Sequence, residues 1–187
     1  MIIADVTDKG APAALFMVFS NSIVRASLHP DMSPAESIQN ANRLITSKSP
    51  NAMFVTLVYV LLEPETGQVI YVNAGHNPPL YYNARGNSLQ RLSRTGMVLG
   101  IDADTPYFQR SMVMAPGDFL FLYTDGLTDS MDNRNQPFGI ERLEKIILDN
   151  KHQSVDIIVT HIEEALFAHS GNTTPFDDIT LLMVKRQ

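Results

Sequence analysis

Cysteine is absent from this 187-residue chain. Its absence removes disulfides, thiolate catalysis and zinc-finger sites together. Basic residues form no run and the formal net charge is −6, which argues against a nucleic-acid partner. No apolar stretch approaches the length of a membrane span, and the first residues lack the basic-then-apolar order of a signal peptide. With no sign of export or membrane insertion, the cytoplasm is the default location. Charged residues are scarce at 18% against 44% hydrophobic, a globular balance that excludes disorder. At this length the chain is expected to be one domain with a real core, in which the nine methionines act as filler.

What is present is a set of aspartates beside β-prone stretches. Asp5 lies in Ile2-Ile3-Ala4-Asp5-Val6. Asp125 follows Phe119-Leu120-Phe121-Leu122-Tyr123-Thr124, and Asp177 lies in Phe176-Asp177-Asp178-Ile179-Thr180-Leu181-Leu182. Carboxylates this far apart in sequence converge only if a sheet brings them together, and converged carboxylates repel unless a cation neutralises them. Ligands that are all oxygen point to a hard divalent ion such as Mg²⁺ or Mn²⁺.

The elements around them are legible. Ile2 to Val6 reads as a strand, and Ala11 to about Leu28 as a helix with Pro12 in its tolerant first turn. Ser33-Pro34-Ala35-Glu36 is a capping-box pattern, and Ala35, Ile38, Ala41 and Ile45 recur behind it at helical spacing to about Ser47. From Asn51 the pattern turns to strands: Met53–Leu62, then a Pro64–Gly67 turn, then Gln68–Asn73 as a hairpin partner. Shorter strands are expected at Leu80–Tyr82, Leu89–Leu92 and Phe108–Met114, and a stronger one at Asp118–Thr124. Helices over Ile140–Asp149 and from a Ser154 cap precede a last strand at Asp178–Lys185. This order predicts a layered α+β domain.

Four strings carry a resemblance: Asp5-Val6-Thr7-Asp8-Lys9-Gly10-Ala11-Pro12-Ala13-Ala14-Leu15, Asn73-Ala74-Gly75-His76-Asn77-Pro78-Pro79-Leu80, Leu122-Tyr123-Thr124-Asp125-Gly126-Leu127-Thr128-Asp129 and Asp177-Asp178-Ile179-Thr180-Leu181-Leu182. In order, and with Phe138-Gly139-Ile140-Glu141-Arg142-Leu143 between them, they resemble the motifs of the bacterial PPM-class (PP2C-like) serine/threonine phosphatases. The likeness is to the branch that includes the sporulation phosphatase SpoIIE and the stress phosphatase RsbU.

The resemblance implies a PP2C-like α-β-β-α fold, two antiparallel β-sheets in a sandwich flanked by helices. It implies two Mn²⁺ or Mg²⁺ ions bridged by a hydroxide, which act on phosphoserine or phosphothreonine with no protein nucleophile. Asp5 would bridge both ions, the Val6 backbone carbonyl would complete one of them, and Asp125 and Asp177 would hold the other ligand positions. Asp129, four residues after Asp125, is either a ligand for a weak third ion or a solvated carboxylate. Asp178 reads as a local hydrogen-bonding residue, and Asp8 as an exposed loop charge. Lys9 could meet a substrate phosphate or simply be solvated. His76 is a candidate general acid, or equally a turn residue whose imidazole fixes the backbone.

The first two helices resemble a switch element; the alternative is a plain covering layer. The implied substrate is a phosphorylated regulatory protein of the anti-anti-sigma (STAS-like) type, in a sigma-factor pathway with sensor domains upstream. The family carries a further metal-binding aspartate before the position of Asp5, so the chain is expected to be a single phosphatase domain incomplete at its N-terminus, without the first strand or strands. That expectation motivates two others: a homodimer exchanging an edge strand, and, as the alternative function, a catalytically impaired regulatory or interaction module that keeps the fold.

Overall fold

β-Branched and aromatic residues build the strands here, and glycine, proline or aspartate ends them. In chain order the elements are β1 (Ile2–Val6), α1 (Ala11–Ser27), α2 (Pro34–Thr46), β2 (Val55–Leu62), β3 (Gln68–Ala74), β4 (Leu80–Asn83), β5 (Ser88–Arg91), β6 (Arg110–Val113), β7 (Phe119–Tyr123), α3 (Asp125–Thr128), α4 (Ile140–Asn150), α5 (Val155–Ser170) and β8 (Leu181–Lys185). The computed structural model describes residues 1–49, 53–171 and 177–187, so Asn51 and Phe176 lie outside the described residues. The elements form two units: Met1–Pro78 with Ser93–Val113, and Pro79–Leu92 with Met114–Gln187. No described helix is long and apolar enough to cross a membrane.

In the first unit an antiparallel sheet runs in the order β1-β2-β3-β6. Side chains alternate across a strand. Ile2, Ala4 and Val6 therefore join α1 and α2 in one apolar cluster, through Phe16, Ile38 and Ile45 among others, while Ile3 and Asp5 point to the opposite face. The Ser33–Glu36 capping box forms as expected: the Ser33 hydroxyl accepts from the Glu36 N–H, and the Glu36 carboxylate accepts from the Ser33 N–H. Behind it Ile38, Ala41 and Ile45 are fully buried. The β1–α1 turn passes through Asp8 and Gly10 at φ of 70° and 86°, the left-handed region that glycine enters freely. Thr7 closes the end of β1 on β2, its N–H donating to the Phe54 carbonyl and its hydroxyl accepting from the Phe54 N–H.

The second unit's antiparallel sheet runs β5-β4-β7-β8. β7 is buried along its whole length, which explains its unbroken apolar run. Tyr82, Phe119 and Phe121 pack against Leu143, Ile147, Ile158 and Ile162 of α4 and α5. Asp118, fully buried before β7, accepts hydrogen bonds from the Tyr81 hydroxyl and the Ala84 and Ala115 N–H groups.

Two boundaries and one cap differ from expectation. β8 begins at Leu181, not Asp178, because the Thr124 side chain joins its backbone N–H, which donates to the Thr180 carbonyl at 3.0 Å, in holding the segment before β8. The Thr124 hydroxyl donates to the Asp178 carbonyl at 3.0 Å and accepts from the Thr180 N–H at 2.9 Å. β6 covers only Arg110–Val113, since the Phe108 N–H is turned to the Thr95 carbonyl. Ser154 stands at the N-cap of α5 but makes no side-chain cap bond.

Candidate metal centre

The end of β7 delivers Asp125. The chain leaves the strand at Thr124 and enters α3 at once, making Asp125 the first residue of a helical turn that closes on Asp129, whose N–H donates to the Asp125 carbonyl at 2.8 Å. Gly126 is what lets the segment at 177–178 approach. A Cβ built there would lie 2.4 Å from the Asp178 carbonyl oxygen. Asp178 enters this arrangement through its backbone, with its carbonyl held by Thr124 and its N–H donating to Asp177 Oδ1 at 3.0 Å.

The result is an acidic trio within the second unit. The Asp125 carboxyl is raised above the ordinary carboxylate range, first by burial and then by the negative charges of Asp129 and Asp177. The N–H groups at the start of α3 oppose the shift. Carboxylate oxygens are the only donors the trio offers, and that chemistry fits a hard divalent cation. The fit is one of donor type: among the described residues, no three such side chains close into a cluster able by itself to hold an ion.

The first unit places Asp5, Val6, Lys9 and His76. Asp5, the penultimate residue of β1, is partly buried, and its Oδ1 accepts from the Val6 N–H at 2.9 Å, which orients the carboxylate along the strand end. Its cross-strand partner is Thr56. The Thr56 hydroxyl lies 3.4 Å from the Asp5 carbonyl oxygen and 2.7 Å from His76 Nδ1. His76 is buried, with its N–H donating to Asn73 Oδ1 at 2.9 Å and its carbonyl accepting from Arg94 Nε at 3.3 Å. The preceding Gly75 has φ of 74°, and any Cβ there would meet Val98 Cγ1 at 2.5 Å. Asp8 and Lys9 are exposed in the β1–α1 turn.

Each unit therefore gathers its own share of the expected residues: Asp125, Asp129 and Asp177 in one, and Asp5, Val6 and His76 in the other. Sequence reasoning missed Thr56 and Thr124, the two hydroxyls that tie the aspartate segments to their neighbours. Thr56 carries no signal of its own, because a threonine inside a β-branched run looks like any strand former. Thr124 sat within a recognised string, immediately before Asp125.

The family described as Stage II sporulation protein E (SpoIIE) matches residues 1–187. The phosphoserine phosphatase RsbU of Bacillus subtilis (strain 168) is 31% identical over 187 residues, spanning 99% of this chain and 55% of that protein. The chain spans about half the length, or less, of the relatives it matches. Among solved structures, the SiaA-PP2C domain of Pseudomonas aeruginosa shares the fold with a TM-score of 0.82 at 21% identity, over 98% of this chain and 74% of that one. The catalytic domain of the serine/threonine protein phosphatase PstP, in complex with 2 manganese ions, has a TM-score of 0.67 at 12% identity, over 97% of this chain and 85% of that one. These likenesses agree with the fold class expected from the sequence: antiparallel sheets with flanking helices.

Proposed function

The chain belongs to the SpoIIE family, and from that premise we propose that it is a metal-dependent protein phosphatase domain that hydrolyses phosphoserine or phosphothreonine on a regulatory protein of the anti-anti-sigma type. The observation that carries this reading is the close approach of the 177–178 backbone to Gly126, beside the turn that joins Asp125 to Asp129, and in this surrounding burial and the charges of Asp129 and Asp177 raise the Asp125 carboxyl. Negative charges brought together at a strand end are an arrangement a cation would stabilise.

The residues that would serve as ligands are Asp5 with the Val6 carbonyl, and Asp125 with Asp177, Asp129 being suited to a weaker third ion. Bound there, Mn²⁺ or Mg²⁺ would supply an acidified water as nucleophile and positive charge against the phosphoryl oxygens. The chain's own part is to hold its carboxylates in fixed positions. The Val6 N–H does so for Asp5, the Asp178 N–H for Asp177, and the α3 N–H groups for Asp125. Lys9, exposed in the turn after β1, would meet a phosphate as a point charge. In the net reaction, water oxygen bonds to phosphorus, the P–O bond to the serine or threonine oxygen breaks, and that oxygen takes up a proton. A chain without cysteine has no thiolate nucleophile to offer, and this reaction needs none.

The test is phosphate release, with Mn²⁺ present, from matched phosphoserine, phosphothreonine and phosphotyrosine peptides and from a phosphorylated STAS-type domain. The proposal expects turnover of the first two peptides and faster turnover of the domain. Binding of the phosphorylated domain without turnover would replace it with the reading of a silent interaction module.

A further inference from the structure

The Thr56 hydroxyl has one proton and two neighbours within reach, the Asp5 carbonyl oxygen at 3.4 Å and His76 Nδ1 at 2.7 Å. If Thr56 donates to the imidazole, two oxygens face each other at the Asp5 end with no proton between them. If instead His76 Nδ1–H donates to Thr56, the hydroxyl proton turns to Asp5 and both contacts are satisfied together. The ring has little freedom to choose otherwise. His76 is only 3% exposed, its backbone is held at Asn73 and Arg94, and Gly75 turns the chain tightly just before it.

We infer that His76 is a positioning residue, which acts through Thr56 to brace the end of β1 where Asp5 sits, and that its neutral ring carries the proton on Nδ1. The consequence is chemical. In this tautomer Nε2 holds a lone pair and has no proton to give, so His76 does not serve as the general acid for a leaving serine oxygen. The chain of contacts runs from His76 Nδ1–H to the Thr56 oxygen, and from the Thr56 O–H to the Asp5 carbonyl. It keeps the Asp5 backbone in register while the Val6 N–H orients the carboxylate. Outer-shell partners of this kind typically change metal affinity 10- to 100-fold when lost. The inference rests on the phosphatase reading only for what Asp5 holds; the brace itself is a property of the metal-free chain.

Two measurements test it. Long-range ¹H–¹⁵N correlation on the ¹⁵N-labelled, metal-free protein reports the His76 tautomer directly. A protonated Nδ1 with a bare Nε2 is expected, and the Nε2–H form overturns the inference. Titration calorimetry then compares Mn²⁺ binding by the wild type, Thr56→Val and Thr56→Ser. The valine variant is expected to bind at least roughly 10-fold more weakly and to shift the Asp5 carbonyl resonance, with serine restoring both. Equal affinity in wild type and Thr56→Val overturns the brace. A wild type that binds no Mn²⁺ sinks the phosphatase reading instead, and the brace is then decided by the tautomer and by the Asp5 resonance.

Discussion

Replacing Gly126 with alanine should loosen the end of the second unit's sheet. The cause is contact, not backbone conformation, since Gly126 lies inside α3 and its φ is one any residue adopts. The added Cβ would stand 2.4 Å from the Asp178 carbonyl oxygen, 3.0 Å from the Asp178 carbonyl carbon and 3.4 Å from the Asp177 carbonyl carbon. All three are backbone atoms, so no flexible side chain can swing away. Restoring ordinary contact requires the 177–178 backbone to retreat by about 1 Å, a displacement on the scale at which overpacking costs ~1–3 kcal/mol. That retreat also stretches the Thr124 hydroxyl bond to Asp178, now 3.0 Å, and strains the Thr180 N–H bond at 2.9 Å. Each is worth about 1 kcal/mol. Alanine recovers up to ~1 kcal/mol of helix propensity. The net loss is about 2–3 kcal/mol, and for a chain of this size Tm should fall by roughly 4–12 °C. Differential scanning calorimetry measures it, and amide exchange at 178–180 should accelerate in parallel. A Tm within about 1 °C of wild type would refute the close packing of Gly126 against Asp178.

Three other outcomes follow from the same geometry. Asp125→Asn should stabilise the metal-free protein at neutral pH, because it removes repulsion with Asp129 and Asp177. Partly exposed carboxylates repel by at most about 1 kcal/mol, so the gain in Tm is ~1–4 °C. The pH dependence has a defined sign. Since burial and its neighbours raise the folded carboxyl, Asp125's contribution to stability is fully present below the ordinary carboxylate range and is lost as pH rises through the raised value. Urea unfolding of the metal-free protein across that window should show the slope in wild type and a weaker one in Asp125→Asn. Asp118→Asn should cost about 2–3 kcal/mol in the same assay, because the new amide sets a donor either against the Ala84 N–H on Oδ1 or against the Ala115 N–H and the Tyr81 hydroxyl on Oδ2, at a fully buried site.

Much of the fold was legible because local and global signals agree. Ser33, Glu36 and the Ile38–Ala41–Ile45 spacing all specify one helix, and that helix forms with its box closed. β7 is recognisable from five apolar residues in a row, the mark of a strand buried on both faces. The start of β8 was not legible, because residues 178–180 are held by the hydroxyl and the backbone N–H of one residue, Thr124, and not by a continued ladder. Gly126 in Thr-Asp-Gly reads as a turn residue, yet its role is to admit the Asp178 carbonyl, a contact between segments some fifty residues apart. The Thr56–His76 contact was hidden for a similar reason. It depends on the register that sets Asp5 opposite Thr56, and on a turn that brings His76 back to the strand. Aspartates could be picked out one by one, whereas the hydroxyls that hold them become visible only once the strands are paired.

The most direct measurement is phosphate release from a phosphoserine peptide, titrated with Mn²⁺ and compared between wild type and Asp125→Asn. Wild-type turnover should rise from background to saturation with Mn²⁺ and vanish on chelation. Asp125→Asn should lie at least roughly 100-fold lower at every concentration, since a metal centre contributes several kcal/mol to such a barrier. Turnover that persists in chelator, or that survives Asp125→Asn undiminished, would contradict a metal-dependent phosphatase built on these aspartates.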